Sequence, residues 1–147
     1  MRSGMTTLEV TRGRLIDHVQ LVVPDLARAR RFYEAVLGVL GVPIAGEGPG
    51  FFWADELCVS TPESPEASGM LTGRAHLAFQ AETREAVAEF HRVGLAAGGS
   101  DNGAPGLRRY HPRYFAAFVL DPDGNSIEAV FHGPAQRSSR AVGVRFE

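Results

Sequence analysis

An α+β fold, built from one strand-helix-strands unit used twice, is what the sequence predicts. The unit shows itself first as an internal repeat. At an offset of 76 − 18 = 58, His18 falls on His76, Asp25 on Thr83, Phe32-Tyr33 on Phe90-His91 and Leu37 on Leu95. In each copy the histidine sits in an apolar strand, and a helix-capping residue ahead of an amphipathic stretch follows it at Asp25 or Thr83. Each copy then closes with short strand-like runs separated by turn residues.

The strand over Leu15 to Val23 puts Leu15, Val19, Leu21 and Val23 on one face, with Asp17 as its one polar member. Ile16, His18, Gln20 and Val22 occupy the other. Pro24-Asp25 ends it, and Asp25 can accept from the first free N–H groups of a helix expected over Leu26 to Leu37, stopped by Gly38. Leu26, Ala29, Phe32, Tyr33 and Val36 form its inward stripe. A Gly- and Pro-rich stretch from Gly41 to Gly50 surrounds a short Val42 to Ile44 segment. Phe51 to Ala54 and Leu57 to Thr61 then read as a hairpin turning at Asp55-Glu56. Pro62 to Gly69 is a polar connector between the halves.

The second copy opens with His76 to Ala81, where Leu77, Phe79 and Ala81 oppose His76, Ala78 and Gln80. Thr83 caps a helix over Arg84 to Ala97, whose stripe is Ala86, Val87, Phe90, Val93 and Ala97 and which Gly98-Gly99 ends. After a Gly-rich loop come Gly106 to Tyr110 and Tyr114 to Leu120, then the type I turn sequence Asp121-Pro122-Asp123-Gly124 and a return strand, Asn125 to His132. With Asp121 opposite Asn125, Phe118 pairs with Glu128, Ala116 with Val130 and Tyr114 with His132.

The bounds exclude several function classes. The 147 residues suit one domain, or two small halves sharing a core. A net charge of −2 with scattered basic residues lacks the footprint of a nucleic-acid binder. All 15 basic side chains are Arg, which removes lysine Schiff-base chemistry and the P-loop lysine. The single Cys58 cannot form an intrachain disulfide, Met1 to Arg14 lacks the apolar core of a signal peptide, and no apolar run is long enough for a bilayer. A cytoplasmic location with no membrane partner is the expectation.

The chemistry concentrates on the sheet face turned away from the helices. Glu128 is a carboxylate in an otherwise apolar strand, where burial without a partner is costly, and two imidazoles at corresponding repeat positions can supply that partner through a divalent ion. Any one of these residues alone is more simply a hydrogen-bonded strand histidine or an edge carboxylate. The joint placement favours a metal set of His18, His76 and Glu128. Two His and one carboxylate leave positions open for substrate and suit Fe, Mn, Zn, Ni or Co without selecting among them. Tyr110, His111 and Tyr114 precede the strand paired with Glu128, so Tyr114 and His111 are candidate acid-base groups beside Glu128, against the simpler reading of rim packing. Gln20, Phe118 and Tyr110 are candidate substrate contacts. His91 reads as packing or surface and His132 as a flank of the cleft mouth.

Ile16-Asp17-His18, Pro24-Asp25, Phe32-Tyr33 before Leu37-Gly38, His76-Leu77-Ala78-Phe79 and Asp121-Pro-Asp-Gly-Asn-Ser-Ile-Glu128 resemble the vicinal oxygen chelate superfamily. That superfamily includes glyoxalase I, extradiol dioxygenases, fosfomycin-resistance enzymes and bleomycin-binding proteins. The resemblance implies two βαβββ modules, curved mixed sheets around a cleft with helices on their outer faces. It places module one at about residues 15–61 and module two at about 75–132 of a single domain, 15–132, with a flexible leader at 1–14 and an unassigned tail at 133–147. It implies His18, His76 and Glu128 as metal ligands, bidentate binding of vicinal substrate oxygens, isomerase, lyase or dioxygenase chemistry, and a homodimer whose clefts in some small members join modules of two chains. The chain departs from glyoxalase I in offering Cys58, Val59 and Ser60 where that enzyme has a fourth carboxylate. It departs from fosfomycin-resistance enzymes in having Gln20 where they carry Thr. Bleomycin-binding proteins usually lack the triad, so its retention points to an enzyme, the alternative being a metal-free ligand-sequestering protein of the same fold.

Overall fold

Alternating strands and two capped helices set the architecture, seen here in a computed structural model that describes residues 8–13, 16–64, 67, 71, 73–136, 139 and 141–146. In chain order the elements are β1 (Leu8–Arg12), β2 (Val19–Val22), α1 (Leu26–Val39), β3 (Gly46–Gly48), β4 (Phe51–Ala54), β5 (Leu57–Ser60), β6 (His76–Gln80), α2 (Arg84–Ala96), β7 (Ser100–Leu107), β8 (Phe115–Leu120), β9 (Ser126–Phe131) and β10 (Val142–Phe146). They form two four-stranded mixed sheets, β2-β5-β4-β3 and β6-β9-β8-β7, plus a two-stranded ladder of β1 and β10. The first strand of each module runs parallel to the last, β2 with β5 and β6 with β9, and the remaining pairs are antiparallel. This is the α+β arrangement of two βαβββ units.

Several expected boundaries move, each for a local reason. The first strand begins at Val19, where its pairing with β5 begins at Leu57. Leu15 lies outside the described residues, as do parts of the Pro62 to Gly69 connector. α1 runs through Gly38 to Val39, and the chain turns away at Gly41, whose φ is +78°. Gly46–Gly48 pairs with β4 as a short edge strand inside the stretch read as loop. β7 starts at Ser100 rather than near Gly106, with register shifts on either side of Gly103; an edge strand accommodates such bulges together with Pro105. Residues 8–12 and 142–146, read as leader and tail, pair with each other along Leu8↔Phe146 to Arg12↔Val142.

The helix caps form as their residue types dictate. Asp25 accepts from the Arg28 N–H at 3.0 Å and Thr83 Oγ from the Ala86 N–H at 3.0 Å. The buried stripes are Ala29, Phe32, Tyr33, Val36 and Leu37 on α1 and Val87, Phe90 and Gly94 on α2. They pack with Leu21, Phe52 and Val59 of the first sheet and Val119, Ile127 and Ala129 of the second into one core. Each large apolar side chain so buried contributes roughly 1.5–3 kcal/mol.

A polar knot joins the modules at the turn after β8. The Asp121 carboxylate accepts from the Tyr33 hydroxyl at 2.5 Å, the Asp123 N–H at 2.8 Å, the Asn125 N–H at 2.9 Å and the Asn125 side-chain amide at 2.8 Å. Asn125 in turn accepts from the Ala75 N–H at 3.1 Å, just ahead of β6. Arg28 of α1 pairs with Asp123 at 2.7 Å. Burial, and then the neighbouring Asp121 charge, push the Tyr33 hydroxyl far above the ordinary tyrosine range. A fully satisfied carboxylate thereby fixes the hairpin that carries Glu128 against the helix of the other module.

Candidate functional site

On the second sheet, the strand register brings the predicted residues to one face. Phe118 lies opposite Glu128, Ala116 opposite Val130 and Ala78 beside Glu128, while Ser126 stands beside His76. Glu128 is 3 % exposed, and both its oxygens are engaged: Oε1 lies 3.1 Å from His76 Nε2, and Oε2 accepts from the Tyr114 hydroxyl. His76 Nδ1 faces Ser126 Oγ at 3.1 Å, and the Asn102 amide donates to that same hydroxyl at 3.3 Å. The imidazole is thus held at Nδ1 and presents Nε2 toward the carboxylate, with its ring stacked on Phe118 at 5.9 Å between centroids. Burial first, and the Glu128 carboxylate second, push the Tyr114 hydroxyl up to about 12. Its proton therefore stays on the phenol, donated to Glu128, at neutral pH.

An aromatic cluster closes the far side. Tyr114 packs against Tyr110 at 4.8 Å, His111 at 5.5 Å and His132 at 5.2 Å between centroids. His111 Nδ1 accepts from the Arg113 N–H at 3.1 Å, which assigns the proton of a neutral ring to Nε2, the atom 2.8 Å from His132 Nδ1. His111 therefore contacts the Tyr114 ring and hydrogen-bonds His132, while Tyr110 is 73 % exposed on the rim.

The first module's corresponding face is an open cavity of about 310 Å³ lined by His18, Gln20, Phe51, Trp53, Asp55, Glu56, Leu57 and Cys58. His18 lies just before β2 with its side chain exposed, and its Nδ1 contacts Asp17 at 2.6 Å. Gln20 donates to Ser60 Oγ at 2.9 Å across the parallel pair. Trp53 and Phe51 lie over their cross-strand partners Gly46 and Gly48. A Cβ on Gly46 would meet the indole nitrogen at 2.4 Å, so only glycine lets the ring lie flat there. Among the described residues no group of three His, Cys, Asp or Glu side chains is placed to hold a metal. His76 and Glu128 are together; His18 stands apart from them. The first strands of both sheets, β2 and β6, are the terminal strands of the sheet orders, and His76, Ala78 and Gln80 along β6 are exposed.

The structure brings Glu128, His76, Phe118 and Tyr114 together on one sheet face, sets Ser126 and Asn102 beside His76, and sets Ser60 and Trp53 on the first module's face. Ser126 was legible, since it lies two residues from Glu128 on the same face. Asn102, Ser60 and Trp53 depended on register and bulges that no local pattern encodes. His91, read as packing or surface, contacts Asp101 at 2.9 Å.

Comparison with known proteins agrees with the geometry. The profile of the Glyoxalase/Bleomycin resistance protein/Dioxygenase superfamily matches residues 15–129. A virulence protein of Salmonella typhimurium is 31 % identical over 122 residues, covering 77 % of this chain and 81 % of that protein. The crystal structure of a glyoxalase/bleomycin resistance protein from Albidiferax ferrireducens is 31 % identical with a TM-score of 0.60, covering 78 % of this chain and 95 % of the other. That of a glyoxalase/bleomycin resistance protein/dioxygenase family enzyme from Burkholderia phytofirmans is 25 % identical, also with a TM-score of 0.60, and covers 78 % and 96 %.

Proposed function

The chain belongs to the Glyoxalase/Bleomycin resistance protein/Dioxygenase superfamily, and from that premise we propose that it is a metal-dependent enzyme. It acts on a small molecule bearing two adjacent oxygens, by isomerase, lyase or dioxygenase chemistry. The observation that carries this reading is the pair His76 and Glu128, a carboxylate 3 % exposed with an imidazole nitrogen 3.1 Å away. Burying a carboxylate is expensive without a cation, and here hydrogen bonds at His76 Nδ1 and Glu128 Oε2 leave Nε2 and Oε1 facing each other.

His76 and Glu128 thus fit two ligand positions, and His18 is the third. A divalent ion held there supplies a Lewis acid toward charge developing on a substrate oxygen. Tyr114 keeps a proton at Glu128 Oε2, with His111 and His132 beside it as the acid-base edge of the site. Gln20, Phe118 and Tyr110 contact the substrate.

Because His18 stands apart from the other two within one chain, the complete set forms in a homodimer. The sheet edges β2 and β6 support this, since each carries or adjoins one of the histidines, and the exposed residues of β6 favour packing against a second copy. The test is metal content after purification without chelator, in the parent and in His18→Ala, His76→Ala and Glu128→Ala. Stoichiometric metal that each substitution removes is the expected result. A metal-free parent, or occupancy indifferent to all three, supports instead a ligand-sequestering protein that uses the aromatic cavity around Trp53.

A further inference from the structure

On the Glu128 face of the second module sits a guanidinium that the ligand set leaves unused. Arg108 follows β7 and folds back over it: one terminal nitrogen donates to the Ala104 carbonyl at 2.7 Å and the other to the Leu107 carbonyl at 3.4 Å. Its guanidinium carbon lies 5.4 Å from the centroid of Phe118, the ring that also stacks on His76. Two glycines lie close beneath it. A Cβ on Gly103 would come within 3.3 Å of one terminal nitrogen, and a Cβ on Gly106 within 3.2 Å of the other. Gly103 pairs with Phe118 and Gly106 with Ala116, so strand, ring and guanidinium share the face that carries Glu128.

Neutral carbonyls orient this cation without neutralising it, and among the described residues no carboxylate forms an ion pair with it. Other arginines on the chain, Arg28, Arg30 and Arg92, do have acidic partners. A planar cation fixed in this way, with donors to spare, matches an oxyanion.

We infer that Arg108 is a specificity-determining residue that recognises an anionic group, a carboxylate or phosphate, on the substrate. The inference rests on the ligand-site reading above and narrows it to anionic substrates.

The test uses a matched pair of probes, catechol and 3,4-dihydroxybenzoate, which share adjacent oxygens and differ by one carboxylate. Zinc is the loading metal because it does not oxidise them. Calorimetry on the full zinc-loaded chain is expected to give about tenfold tighter binding of the carboxylate probe. Arg108→Gln erases that preference and keeps catechol affinity, while Arg108→Lys retains part of it. A preference absent from the parent, or one that survives in Arg108→Gln, overturns the role of Arg108.

Catechol binding that needs zinc and is lost in His76→Ala tests the ligand site separately. A second arm titrates inorganic phosphate into metal-free protein by NMR. Weaker phosphate binding in Arg108→Gln than in the parent is expected. Equal binding in the two, or none in the parent, argues against a phosphate-bearing substrate and leaves the carboxylate pair to decide.

Discussion

The two modules repeat one topology yet organise their outward faces differently. In the second, the ionisable groups are braced: Glu128 is buried between Tyr114 and His76, and His76 is held at its far nitrogen by Ser126. In the first, His18 stands exposed beside Asp17 and lines an open cavity together with Trp53, Phe51 and Gln20. On the function proposed above, the braced half would hold the ion and the open half would receive the ligand.

Substitutions on the two faces should therefore differ in kind. The largest effect is expected at Glu128. Glu128→Gln keeps the shape but not the charge and should lower metal affinity beyond the roughly 10–100-fold typical of losing a supporting side chain. Ser126→Ala and Tyr114→Phe, which remove that support, should fall within about that range by metal titration. In the open module, Trp53→Ala should weaken small-molecule binding while leaving metal content unchanged, and parallel loss of both would erase the contrast.

Next in size is the polar knot between the modules. Tyr33→Phe removes one of four donors to a buried carboxylate and should cost about 1–3 kcal/mol in denaturant unfolding. The sign of its pH dependence follows from the raised pKa. The unfolded tyrosine ionises near its ordinary value of about 10 while the folded one stays protonated, so the stability it contributes is complete below that pH and is lost as pH rises above it. Melting curves in alkaline buffer should fall more steeply for the parent than for Tyr33→Phe.

Gly46→Ala drives a methyl against the indole and should destabilise the first module by about 1–3 kcal/mol, an overpacking cost. Smallest are the caps. Asp25→Ala and Thr83→Ala should each cost about 1 kcal/mol, and similar values would show that the modules differ in their faces rather than in their frames.

What the sequence revealed follows the same division. The helices, their caps, the Asp121 turn and the register placing Phe118 opposite Glu128 were all legible, because turn chemistry and side-chain period are local. The start of β7 was hidden, since an edge strand with bulges carries no clean alternation. The β1-β10 ladder was hidden too, because it joins distant segments with no period of their own. Arg108 escaped notice because its meaning depends on two glycines of the strand it folds back over and on a ring in the neighbouring strand. Most consequential was the separation of His18 from His76 and Glu128: equal phase in a repeat fixes which face a residue occupies, not which copy of that face it meets.

That separation is where the account is most directly tested, by mixing two inactive chains. His18→Ala and Glu128→Ala proteins, each metal-free alone, are unfolded together, refolded as a mixture and assayed for bound metal. If the set is completed across two copies, mixed dimers hold one intact site, and random pairing restores about a quarter of the parent's metal. A mixture as empty as its two components would contradict it.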